Sequence, residues 1–161
     1  MSTVLQDIVE KKHYLFISGA GLTWQQAVKV STASLVADGS VSKDFYKQII
    51  ACIEKYGPYM VFEHNIAMPH TTENAEGVYK TGIGFMVTDE MIDFGVDEDG
   101  EKKEANIFFT LCAANSAEHM NNIQQLASIF MNEPLIDALV AARTPEEILA
   151  AEAKYPCEEE E

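Results

Sequence analysis

Four histidines, His13, His64, His70 and His119, carry most of the chemistry that this chain of 161 residues could perform. Imidazole changes charge near neutral pH, and its neutral form serves as nucleophile, proton acceptor or metal ligand. Frames for other chemistries are missing, since the sequence has no glycine-rich phosphate loop, no His-Glu-x-x-His zinc signature and no nucleophile elbow. His13 precedes an apolar run and reads as a structural or surface residue, and His64 reads as an incidental exposed one. His70 ends the run Asn65-Ile66-Ala67-Met68-Pro69-His70, in which Pro69 fixes its own φ and biases Met68 toward extended geometry, so the imidazole leaves on a stiff support. Thr71, Thr72 and Asn74 follow, offering hydroxyl and backbone donors without bulk. The residues alone leave two readings of His70 open, an ordinary loop histidine and a nucleophile.

The elements that must position these side chains follow from periodicity. A short helix from Val4 to Lys11 leads into a strand, Tyr14 to Ile17. Thr23 and Gln26 form a capping box for a long helix carrying Trp24, Val28, Ser31 and Leu35, which Gly39 ends. Ser42 caps a second helix with Phe45, Ile49, Ile53 and Tyr56 on one face, closed by Gly57 and Pro58. Tyr59 to Phe62, Thr81 to Thr88 and Ala105 to Ala113 read as strands, the last apolar enough for burial on both faces. Met91 to Phe94 adds a short strand, and Gly95 to Glu104 reads as an exposed excursion turning at Asp99 and Gly100. Asn115 and Glu118 resemble a further capping box, and His119, Ile123, Leu126 and Phe130 share a face that should point inward. An Asn115 cap puts His119 in the first helical turn, where free N–H groups and the helix dipole favour a nearby anion and disfavour a second positive charge. Pro134 and Pro145 open two shorter helices.

This order predicts the α/β class: a single domain over residues 1–155 with a mixed β-sheet flanked by helices on both faces, a three-layer α/β/α arrangement. Residues 156–161 read as an acidic, disordered C-terminal tail. The 26 acidic against 11 basic side chains give a net charge of -15, which repels nucleic acid and anionic lipid. No apolar stretch reaches the length of a signal core or a transmembrane helix, so a cytoplasmic protein is expected. Cys52, Cys112 and Cys157 lack paired spacing and read as reduced thiols.

The run Ile66-Ala67-Met68-Pro69-His70, two helices downstream of the first strand, resembles the phosphorylation-site motif of the enzyme IIA proteins of bacterial sugar phosphotransferase systems, in the fructose–mannitol superfamily. The similarity runs from Tyr14 to Leu149 and includes Asn115-Ser116-Ala117-Glu118-His119 after the last strand; the Gly57-Pro58-Tyr59 turn is most like the ascorbate-type branch. The resemblance implies that His70 is phosphorylated and that His119 faces it as a phosphoryl-stabilising donor, with Thr71, Asn65 and Asn115 in support. It implies HPr as phosphoryl donor, a cysteine of a cognate enzyme IIB as acceptor, the membrane permease enzyme IIC as an indirect partner only, and ascorbate or a related sugar as the transported compound. Imidazole suits such a relay because its phosphoramidate readily passes the group on. Neither a cofactor nor a metal is expected. Asn65 stands where the family commonly has glycine, and asparagine is the non-glycine residue best able to adopt a left-handed backbone. Thr71 replaces a usual alanine or glycine. Two alternatives are a regulatory protein read out by its phosphorylation state and a non-catalytic binding module of the same fold in which His64, His70 and His119 gather a metal or are merely satisfied polar groups. Pro69 makes a shared tetrahedral site awkward for the metal version.

Overall fold

Alternating apolar side chains on two long strands divide the interior into two cores. The computed structural model describes residues 3–71 and 75–157; Thr72, Asn74 and the terminal glutamates 158–161 of the expected tail lie outside the described residues. Strands β1 (Tyr14–Ile17), β2 (Val61–Phe62), β3 (Ile66–Ala67), β4 (Gly82–Val96) and β5 (Lys102–Cys112) form one mixed sheet in the order β1-β4-β5-β3-β2. β1 pairs with β4 and β3 with β5 in parallel, while β4–β5 and β2–β3 are antiparallel. On β5, Ile107, Phe109 and Leu111 face one core; Ala105, Phe108 and Cys112 face the other. The first core is covered by α1 (Val4–Glu10), α5 (Ser116–Phe130), α6 (Glu133–Ala141) and α7 (Pro145–Lys154). The second lies under α2 (Trp24–Ser31), α3 (Ala33–Ala37) and α4 (Phe45–Tyr56). The three-layer α/β arrangement is as the sequence predicts, and among the described residues no helix is long and apolar enough to cross a membrane.

Four boundaries differ from expectation. The long first helix is interrupted at Thr32, where the hydroxyls of Ser31 and Thr32 bond back to the carbonyls of Val28 and Lys29, at 2.6 and 2.7 Å, and compete with helix propagation. After the break, Leu35 packs over Gly82 and Gly84 of the sheet. α4 starts from Asp44 and not Ser42, whose N–H instead bonds to Gly77 O at 2.8 Å. The expected strands Thr81–Thr88 and Met91–Phe94 are one strand, β4, with register irregularities after Val87 and Asp93. Most of the expected excursion is therefore hairpin, and only residues 97–101 turn, with Asp97 Oδ1 accepting from the N–H groups of Asp99 and Glu101 at 2.9 Å each. Finally, Tyr59–Phe62 shrinks to β2, and Ile66–Ala67 forms an unanticipated strand. The turn between them uses left-handed backbone at His64 (φ 64) and Asn65 (φ 61), the conformation expected of Asn65.

His13 is buried, and its Nε2 meets the Asp38 carboxylate in a close contact, a partner with no signal in the local sequence. Burial pushes the Asp38 carboxyl up, but hydrogen bonds from the Ser40 hydroxyl and from His13, and another from the Ser40 N–H, outweigh it and hold its pKa at about 2. Since that lies below the ordinary value of ~3.9, the stabilisation is full above about pH 4 and is lost as pH falls through about 2. Urea unfolding should show wild type more stable than Asp38→Asn near neutral pH, with the gap narrowing from about pH 4 downward. A gap independent of pH would contradict this account.

Candidate functional site

The segment that delivers His70 is fixed from both sides. Ile66 and Ala67 pair in register with Ile107 and Phe108 of β5. Beyond them, Met68 N–H donates to Met60 O and Pro69 O accepts from Leu111 N–H, both at 2.9 Å. Met68 is buried in the first core, and His70 emerges half-buried one residue after Pro69.

His70 Nδ1 lies 2.6 Å from Met68 O. A carbonyl oxygen only accepts, so Nδ1 carries the proton, and the lone pair of the neutral ring resides on Nε2, on the ring edge away from Met68. Burial favours the neutral ring and lowers the His70 pKa; the Met68 carbonyl works in the opposite direction, and His119 adds to the lowering. The net direction is down, so the nucleophilic form predominates at neutral pH.

His119 reaches the same place from α5. Asn115 caps this helix, its Oδ1 accepting from Glu118 N–H at 2.9 Å, and its own carbonyl accepts from His119 N–H at 3.0 Å. The rings of His70 and His119 lie 5.8 Å apart between centroids, at 39°. The expected capping box is only half made, because the Glu118 carboxylate binds the Thr81 hydroxyl in place of the Asn115 N–H. On the inward face, Leu126 is buried, and Ile123 and Phe130 pack partly buried against the first core.

Tyr59 was not foreseen as part of the site. Its ring meets His70 edge-on, at 5.8 Å and 87°, and is itself packed by Tyr56 at 6.1 Å. The Gly57-Pro58-Tyr59 turn marked a helix end but carried no sign of what Tyr59 would touch. Tyr56, Tyr59 and Met120 remain substantially exposed. Of the other expected residues, Thr71 is buried directly after His70, and Asn115 serves as the cap. Asn65 sits at the opposite end of β3, where its Nδ2 donates to Glu104 O at 3.1 Å. His64 is not brought to His70: its Nε2 pairs with Glu133 Oε1 at 2.8 Å, which leaves the three-histidine metal arrangement without geometric support. The chain's one arginine, Arg143, is held by Asp89 at 2.7 Å.

A protein-family model described as "Phosphoenolpyruvate-dependent sugar phosphotransferase system, EIIA 2" matches residues 9–153. The chain is 32% identical over 146 residues to the ascorbate-specific PTS system EIIA component of Escherichia coli (strain K12), covering 90% of this chain and 92% of that protein. Among solved structures it is similar to one described as a PTS IIA domain from Streptococcus pyogenes M1 GAS, with TM-score 0.78 and 28% identity over 96% of this chain and 97% of the other. It is also similar to the mannitol enzyme IIA of Escherichia coli in a complex with phosphorylated enzyme IIB, with TM-score 0.71, 25% identity and coverage of 88% and 95%.

The His70 environment sets a measurable titration. Followed by NMR, the His70 ring should titrate below the ordinary ~6.5 of histidine, and His119→Ala should move the midpoint upward by removing a repulsive neighbour. A midpoint at or above the ordinary value would show that burial does not govern this ring.

Proposed function

The chain belongs to the EIIA 2 family of the phosphoenolpyruvate-dependent sugar phosphotransferase system, and from that premise we propose that it relays a phosphoryl group on His70 Nε2, from phospho-HPr to a cysteine of a cognate enzyme IIB. The observation that carries this reading is the bond from Nδ1–H to Met68 O, which leaves Nε2 as the nucleophilic atom beside the second imidazole.

In the first step the Nε2 lone pair attacks phosphorus, and the P–N bond to the donor's histidine breaks with its electron pair returning to that ring. No proton need move, because Nδ1–H stays on His70 and the Met68 carbonyl faces the positive charge that develops on the ring. In the second step a cysteine thiolate attacks the same phosphorus, and the P–Nε2 pair returns to His70. The transition state is loose and charge-rich, so the protein contributes alignment and hydrogen-bond donors. His119 is suited to donate to a phosphoryl oxygen, and the N–H groups at the start of α5 add a favourable field. The identity with the ascorbate-specific component of Escherichia coli supports ascorbate or a related sugar as the compound served. The complex of the mannitol relative supports enzyme IIB as acceptor.

Incubation with phosphoenolpyruvate, enzyme I and HPr should add one acid-labile, base-stable phosphate to wild type and none to His70→Ala, read by intact mass; an unmodified wild type would refute the relay. His119→Ala should still accept phosphate but pass it to enzyme IIB roughly a hundredfold more slowly, the scale of losing one transition-state donor. Unimpaired transfer would remove His119 from the mechanism.

A further inference from the structure

Thr81 stands just before β4 and outside the histidine pair, yet its hydroxyl ties together the structure that carries His119. Its Oγ1 accepts from Ala114 N–H at 3.0 Å, in the link between β5 and α5, and its own proton goes to Glu118 Oε2 in a close contact. The same carboxylate oxygen accepts from Asn115 Nδ2 at 3.3 Å. One hydroxyl thus joins the approach to α5, the capping residue and the residue before His119. The next residue, Gly82, pairs with Cys112, so this tie is referenced to the strand pair at the centre of the sheet.

We propose that Thr81 and Glu118 are positioning residues for phosphoryl transfer, holding the first turn of α5 so that the His119 ring faces His70; this rests on the relay reading above. Neither touches the reacting atoms. The capping bond from Glu118 N–H to Asn115 Oδ1 fixes the backbone of that turn. Without further bonds the helix start could still pivot about the short link of residues 113–115. The Thr81 hydroxyl restricts that freedom by bonding within the link, at Ala114, and beyond it, at Glu118, while Asn122 Nδ2 ties the second turn of α5 to Cys112 O at 3.2 Å. A charge-assisted hydrogen bond is the stronger kind, and alignment of a donor within a fraction of an ångström governs its catalytic effect. Tying the carboxylate to Thr81 and Asn115 also keeps a negative charge engaged beside a turn that must receive an anion.

The test compares Thr81→Val, which keeps the shape and loses the hydroxyl, with Thr81→Ser, which restores it, and with Glu118→Gln. Thr81→Val should accept phosphate on His70 from phospho-HPr normally. It should lower kcat for transfer to enzyme IIB about tenfold with KM unchanged, and Thr81→Ser should recover the rate to within about twofold. Nuclear Overhauser contacts between the rings of His70 and His119 should weaken in Thr81→Val and return in Thr81→Ser. Should Thr81→Val fail to fold, Glu118→Gln, which replaces the charge-assisted bond by a neutral one, must show a smaller loss of the same kind. Wild-type transfer with unchanged ring contacts in Thr81→Val, or no recovery with serine, would overturn the proposal. If wild type itself takes no phosphate, the relay reading falls, while the ring contacts still decide whether Thr81 orients His119.

Discussion

The parallel pairing of β3 with β5 is the constraint on which the site depends. Parallel neighbours end at the same edge of a sheet, so the residues that follow each strand emerge side by side. His70 lies three positions past Ala67, and His119 lies in the first turn of the helix that follows Cys112. One short register, Ile66 with Ile107 and Ala67 with Phe108, therefore brings together two histidines far apart in sequence. That register is pinned by alternation, since Ile66 and Met68 enter the first core and Ala67 the second. A slip by one residue would exchange the faces and drive polar neighbours inward. Pro69 fits because its position calls only for a carbonyl, which Leu111 N–H takes.

What could be read from the sequence was what short-range chemistry determines. The caps at Thr23 and Asn115, the prolines opening α6 and α7, the left-handed backbone at Asn65 and the twice-buried β5 all rest on neighbours a few residues away. Features that rest on distant partners were not legible. Tyr59 against His70, Thr81 against Glu118, and Asp38 against His13 each join segments that no periodicity links. β3 is too short to announce itself by alternation and exists because β2 and β5 flank it. The polar end of the β4–β5 hairpin read as a loop because its strands run into exposed, charged sequence, where alternation against a core gives no signal.

The tautomer and the charge of the site are linked through the same backbone carbonyl. Without the Met68 acceptor either ring nitrogen of His70 could hold the proton, and the nucleophile would be divided between two positions. With it, the lone pair is confined to Nε2, and burial keeps that lone pair free at neutral pH. In the proposed relay, desolvation alone would oppose the cationic ring that forms when phosphorus binds, and the carbonyl that faces Nδ1–H offsets that cost. For the proposed relay, phosphate charge is a separate problem in a chain of net charge -15 whose single arginine is engaged by Asp89. The groups near His70 that could meet an anion are the ring N–H of His119 and the N–H groups at the start of α5. Dipoles have a shorter reach than a guanidinium charge, so their effect depends more steeply on placement. In the proposed relay, this steep dependence is the physical reason that the hydrogen bonds around the first turn of α5 would bear on transfer as well as on stability.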